Sequence, residues 1–125
     1  MKLQGKKLLV VDDSKAIHAF VRDALKEKGV QISSVYDGKQ AVELISQGLD
    51  QFDVICLDWE MPIMTGPETF QQFKLLKLTT PVVMMTSKSK IEDLTQMLEA
   101  GVSEYVMKPV TPDILIEKLE SVLKG

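Results

Sequence analysis

One cysteine, one histidine and one tryptophan stand among the 125 residues, and each scarcity closes off a class of protein. Cys56, alone, forms no intramolecular disulfide, and its place inside an apolar run suits a buried reduced thiol. His18 has no companion ligand near it and is expected on the surface of the first helix rather than as a metal ligand or phosphodonor. No apolar run approaches a membrane span. The four apolar residues that follow Met-Lys-Leu-Gln-Gly-Lys-Lys are too few for a signal-peptide core, so a cytoplasmic location is expected. The net charge of −3 gives no electrostatic reason to expect nucleic acid or an anionic membrane as partner. Linkers and low-complexity tracts are absent too, and residues 1–125 are expected to form one domain.

What is present is a rhythm. Val54-Ile55-Cys56-Leu57 runs without a polar break and stops on Asp58, the pattern of a strand buried on both faces. Leu8-Leu9-Val10-Val11 does the same and stops on Asp12 and Asp13. A weaker strand with two serines, Val30 to Val35, is expected at a sheet edge. Pro81 to Met85 leads to Thr86 and Ser87, and Glu104 to Met107 leads to Lys108-Pro109.

Between these strands lie helical stripes. Ile17, Phe20, Val21, Ala24 and Leu25 form the first, closed by Gly29. Asp37 and Gln40 read as a capping box for a second helix carrying Ala41, Val42, Ile45 and Leu49. Gly66-Pro67 opens a third with Phe70, Phe73 and Leu76. Ser89 and Glu92 read as a box before Ile91, Leu94 and Leu98, closed by Gly101. Thr111-Pro112 opens the last helix, which runs through Leu115, Leu119, Val122 and Leu123. Five βα units with short connections imply an α/β fold, a five-stranded parallel sheet with helices on both faces and right-handed crossovers.

Four of the five strands end on chemistry-bearing residues, and parallel strands bring those ends to one edge. Asp12, Asp13 and Asp58 supply three carboxylates, Thr86 a hydroxyl and Lys108 an ammonium. Carboxylates held together repel unless a cation intervenes, and a hard divalent ion with oxygen ligands, Mg²⁺, fits such a set. The hydroxyl and ammonium are then donors to a phosphoryl group, and an aspartate can itself be the nucleophile.

With Asp12-Asp13, Asp58-Trp59-Glu60-Met61-Pro62-Ile63-Met64-Thr65-Gly66, Thr86 and Lys108-Pro109 in this order, the whole chain resembles the receiver domain of bacterial two-component response regulators. The chemotaxis regulators of that family, which also carry a Trp after the acceptor Asp, are nearest in pattern. The resemblance implies the flavodoxin-like strand order 2-1-3-4-5. It implies Asp58 as phosphoacceptor, with Asp13, Asp58 and the backbone carbonyl of Glu60 holding Mg²⁺ and Asp12 acting through a coordinated water. Thr86 and Lys108 would contact the phosphoryl group, and Tyr105 would be the switch aromatic, although a half-buried strand tyrosine suits the same position. A sensor histidine kinase as donor and an output protein as target are implied, with no membrane and no direct nucleic acid. Self-catalysed phosphotransfer and autodephosphorylation are the only catalysis expected. The Lys108-Pro109 bond is commonly cis in this family.

Two positions depart from the chemotaxis pattern, Glu60 in place of an amide and Lys88 in place of an acid, and both are expected to approach each other and screen the site from water. Three other readings stay open at this point. A receiver cut from a longer DNA-binding regulator or hybrid kinase would have the same sequence. A Mg²⁺-dependent phosphohydrolase would place its nucleophile in an Asp-x-Asp motif after the first strand, whereas here the acids are adjacent. An FMN binder would need a glycine- and hydroxyl-rich loop there, and Asp12-Asp13-Ser14-Lys15 repels phosphate without a metal.

Overall fold

Side-chain alternation along the strands explains the architecture of the computed structural model, which describes residues 2–48 and 51–123. The elements alternate throughout: β1 (Lys7–Val11), α1 (Lys15–Leu25), β2 (Gln31–Val35), α2 (Gly38–Gln47), β3 (Val54–Asp58), α3 (Gly66–Leu75), β4 (Val82–Thr86), α4 (Ile91–Ala100), β5 (Glu104–Met107) and α5 (Pro112–Val122). All four strand pairings are parallel, in the order β2-β1-β3-β4-β5. The expected class and strand order are thus what the structure has.

Successive strand residues face opposite sides of the sheet. Leu8, Val10, Val54, Cys56, Val83, Met85 and Val106 pack with Val21 and Leu25 of α1 and Leu115 and Leu119 of α5. Leu9, Val11, Ile55, Leu57, Val82 and Met84 pack on the other side with Ala41 of α2 and Phe70 and Phe73 of α3. The central strands β3 and β4 are buried at every position, as unbroken apolar runs require. β2, with its two serines, lies at the edge and is only half buried. Cys56 is wholly buried and burial pushes its thiol up to about 12, so it behaves as a small apolar side chain.

Several local expectations need correction. α1 stops at Leu25, and Gly29, at φ 71°, closes the turn beyond it. Asp37 caps α2 by accepting the Gln40 N–H, but the Gln40 side chain takes the N–H of Tyr36, so the box is displaced by one residue. α4 is capped at Lys90 with no side-chain bond, not by Ser89. Ile91 (76 % exposed) and Leu98 (42 %) of its apolar stripe face outward, and so does Leu76 at the end of α3. Leu49 lies outside the described residues. Thr65 and Glu68 form the complete reciprocal box, at the start of α3, at the spacing that such a box requires.

Candidate functional site

Register places the acids. Val10 lies beside Cys56, both on the α1/α5 side of the sheet. Two residues further, alternation returns Asp12 and Asp58 to that side as neighbours at the carboxyl ends of β1 and β3. Lys108, two beyond the buried Val106, comes to the same side from β5. Its ammonium donates to Asp58 Oδ1 at 2.8 Å and to Asp12 Oδ2 at 3.3 Å. Asp12 is 1 % and Asp58 3 % exposed, whereas Asp13 is open to solvent. One carboxylate oxygen from each of the three acids lies within 4.8 Å of the others.

Burial is the main cause that pushes the Asp58 carboxyl up to about 6, and the charge of Asp12 adds to it. The hydrogen bond and charge of Lys108 and the backbone N–H of Glu60 pull the other way without cancelling the rise. For Lys108, burial pulls the ammonium down, but its bonds to Asp58 and Asp12 outweigh that and leave it above its ordinary value. One ammonium therefore faces three carboxylates, and the site is short of positive charge. Its donors are hard oxygens, two buried and one open to water, a set suited to a hard divalent cation that keeps part of its hydration.

The turns around the site are held from several directions. Ser14 caps α1 and its N–H donates to Asp12 Oδ1 at 2.9 Å. Gly66 donates its N–H to the Trp59 carbonyl, and a Cβ there would run into the carbonyl oxygen of Asp58 and the Cα of Trp59. No residue but glycine fits beneath the acceptor strand without displacing it. Thr86 is buried, and its hydroxyl accepts the Lys88 N–H at 2.8 Å. Its carbonyl accepts the Lys108 N–H, which ties the ends of β4 and β5. Tyr105 is half buried against the cluster on the α2–α4 side of the sheet. The Lys108-Pro109 bond is cis.

The structure thus brings Asp12, Asp13, Asp58 and Lys108 together directly, and sets Thr86 and Glu60 at the adjoining loop ends. It does not pair Glu60 with Lys88: the Glu60 carboxylate accepts the Ser87 hydroxyl at 2.7 Å, and no Glu60–Lys88 ion pair forms among the described residues. Sequence complementarity pointed to the opposite charge, but the neighbouring short hydroxyl reaches Glu60 instead. Asp13, Trp59, Glu60, Met61, Pro62, Thr65 and Lys88 line an open hollow of about 430 Å³ beside the acids. A larger hollow of about 610 Å³ between the α2–β3 and α3–β4 connections contains none of the three acids.

His18 also departs from the expectation. It is 2 % exposed rather than on the helix surface. Its position three and seven residues before Val21 and Leu25 on the buried stripe was the signal for that.

A family model described as the response regulator receiver domain matches residues 8–120. The chain is 35% identical over 120 residues to a chemotaxis protein CheY homolog of Campylobacter jejuni, covering 94% of this chain and 92% of that one. It is 31% identical over 113 residues to the transcriptional regulatory protein DltR of Streptococcus agalactiae, covering 90% of this chain and 50% of that protein. Among solved structures, the Vibrio cholerae chemotaxis protein CheY4 superposes with a TM-score of 0.86 at 31% identity, covering 94% of this chain and 98% of that chain.

Proposed function

The chain belongs to the response regulator receiver domain family, whose members are phosphorylation-activated switches of two-component systems, and we propose that in this chain the switch is thrown at Asp58. The observation that carries the assignment is the convergence of Lys108 and the carboxylates of Asp12 and Asp13 around Asp58, with Asp58 buried at the strand end. A carboxylate oxygen of Asp58 attacks the phosphorus of a phosphohistidine, the P–N bond breaks, and its electron pair leaves with the imidazole. Asp13, Asp58 and the backbone carbonyl of Glu60 would hold Mg²⁺, with Asp12 acting through water. When bound, the cation supplies the positive charge the site lacks and neutralises the phosphoryl oxygens. Lys108 is already within bonding distance of Asp58 Oδ1 and stays charged, so it serves the phosphoryl oxygens without a change of protonation.

Phosphorylation replaces the single negative charge of the Asp58 carboxylate with about −1.5 to −2 charges spread over the phosphoryl oxygens. Thr86, at the end of the adjacent strand, turns its hydroxyl to the new oxygens, and Tyr105 moves into the space this leaves. The readout is the face built from α4, β5 and α5, where Ile91, Leu98, Met107 and Ile114 are exposed apolar side chains. An output protein that binds this face in one state more tightly than in the other completes the switch. A sensor histidine kinase is the phosphodonor. The domain spans residues 1–125 and works in the cytoplasm, alone or as part of a longer regulator. Among the described residues no helix is long and apolar enough to cross a membrane.

The Ser87–Glu60 bond joins the loops after β4 and β3 beside the acceptor, and it limits the approach of water to the acyl phosphate. Trp59 adjoins Asp58 and reports the chemistry. Its fluorescence should change on adding Mg²⁺ and again on adding acetyl phosphate, and Asp58→Asn should abolish the second response. A second response that persists in that variant excludes Asp58 as the acceptor.

A further inference from the structure

His18 is a buried, polar and chemically versatile side chain that the proposed chemistry leaves idle. Its Nε2 lies 2.7 Å from the carbonyl oxygen of Asp12 and its Nδ1 2.9 Å from Ser34 Oγ. A carbonyl can only accept, so Nε2 carries the proton and donates it. In the neutral ring Nδ1 is then an acceptor, and the Ser34 hydroxyl donates to it. That uses the only proton of Ser34, whose oxygen accepts the Arg22 Nη2 donor at 2.8 Å. The bonds therefore run one way, from Arg22 through Ser34 and His18 to the backbone of Asp12. Tyr36 covers the imidazole with its ring, the centroids 4.5 Å apart and the planes at 46°.

The carbonyl at the end of this chain belongs to the peptide plane joining Asp12 to Asp13. The planar peptide makes its orientation and that of the Asp13 N–H a single variable. The other groups of Asp12 are held elsewhere, its N–H by the Val35 carbonyl at 3.3 Å and its carboxylate by Ser14 and Lys108. Among the described residues no side-chain hydrogen bond or ion pair holds the Asp13 carboxylate, which is exposed yet keeps an oxygen within 4.8 Å of those of Asp12 and Asp58. Its aim depends on the backbone beneath it.

We infer that His18 is a positioning residue for the cation site, fixing the Asp12–Asp13 peptide plane so that the Asp13 carboxylate is aimed at Asp58. The inference rests on the reading that Asp13 and Asp58 share a divalent cation. Partners that orient metal ligands change affinity by about 10- to 100-fold when removed, and action through one peptide plane falls at the lower end of that range.

The test is a Mg²⁺ titration of the whole chain followed by Trp59 fluorescence, with urea unfolding in chelator as a separate measure of stability. His18→Phe keeps an apolar ring and loses the donor, so its Mg²⁺ dissociation constant rises by about tenfold. His18→Gln can place an amide N–H near the Asp12 carbonyl and stays within about threefold of the wild type, a rescue that a packing role alone would not produce. Nitrogen NMR of the wild type should find a proton on Nε2, the atom that faces the Asp12 carbonyl. Folded His18→Phe with wild-type Mg²⁺ affinity overturns the inference, as does a ring protonated on Nδ1 alone. Should His18→Phe fail to fold, His18→Leu, a smaller apolar side chain that likewise lacks the donor to the Asp12 carbonyl, decides the matter: weaker Mg²⁺ binding is expected, and unchanged binding overturns the inference. A wild type that does not respond to Mg²⁺ refutes the shared-cation reading itself, and the inference with it.

Discussion

Removing the cation should make the protein less stable as the pH rises, and the acceptor carboxylate is the reason. In chelator Asp58 has its folded-state pKa raised to about 6, against 3.8 for the ordinary group, with burial the main cause. The folded chain therefore holds that proton more tightly than the unfolded chain. The resulting stability is fully present below 3.8 and is lost as the pH rises through 6. The difference corresponds to at most about 3 kcal/mol, of which about 2 kcal/mol is lost between about pH 4.5 and 8. Lys108, whose own pKa is raised, stays charged across this range and adds no slope. Urea unfolding of the wild type and Asp58→Asn at several pH values in chelator isolates the contribution, since the variant has no proton to exchange at residue 58. The stability of the wild type relative to the variant should fall steadily with pH. Saturating Mg²⁺ should reverse the trend, adding about 2.7 kcal/mol at a hundred times its dissociation constant. A flat difference in chelator would refute burial as the dominant effect. A difference that increases with pH would mean that the Lys108 ion pair outweighs burial and holds Asp58 below its ordinary value.

Cutting either end of the Ser87–Glu60 bond, by Ser87→Ala or Glu60→Ala, should speed loss of phosphate by about tenfold, the lower end of what one hydrogen bond to a charged group is worth; equal lifetimes by intact mass would remove that bond from the mechanism. Gly66→Ala should destabilise the fold by about 1–3 kcal/mol because its methyl meets the Asp58 and Trp59 backbone, and an unchanged urea midpoint would contradict that packing. Thr86→Ala should still take a phosphoryl group from acetyl phosphate, while the fluorescence and NMR changes on α4, β5 and α5 that follow it in the wild type should be lost; retention of those changes would break the proposed coupling. Thr111→Ala, which deletes the side-chain cap of α5, should cost about 1 kcal/mol by denaturation, and a difference near zero would show that the cap is dispensable.

Much of this fold is written in simple alternation. Two unbroken apolar runs stopping on acids, Leu8–Val11 and Val54–Leu57, read as buried strands from their length and their place in the βα rhythm, and their register brings Asp12 to Asp58. Thr111 and Asp37 were legible as caps because a cap needs only one side chain at one spacing. The misreadings share a cause. Periodicity reports an apolar face but not what covers it, so Ile91 and Leu98 looked like core and are exposed. Residue type misled in the opposite direction at His18, which shares the stripe of Val21 and Leu25 but was expected in water because its ring is polar. Its partners, Ser34 and the Asp12 carbonyl, come from another strand and from the backbone, and no local spacing announces either. Glu60 illustrates the same limit for charge: opposite signs suggested Lys88, and a neighbouring hydroxyl is the group within reach.

The phosphoacceptor assignment can be tested most directly by intact-mass and peptide-mapping measurements after incubation with acetyl phosphate, with and without Mg²⁺. One phosphoryl group should be gained only in the presence of the cation, on the peptide containing Asp58, in a hydroxylamine-labile form that Asp58→Asn cannot produce. A protein that stays unmodified, or a phosphoryl group that maps to another residue, would contradict the account.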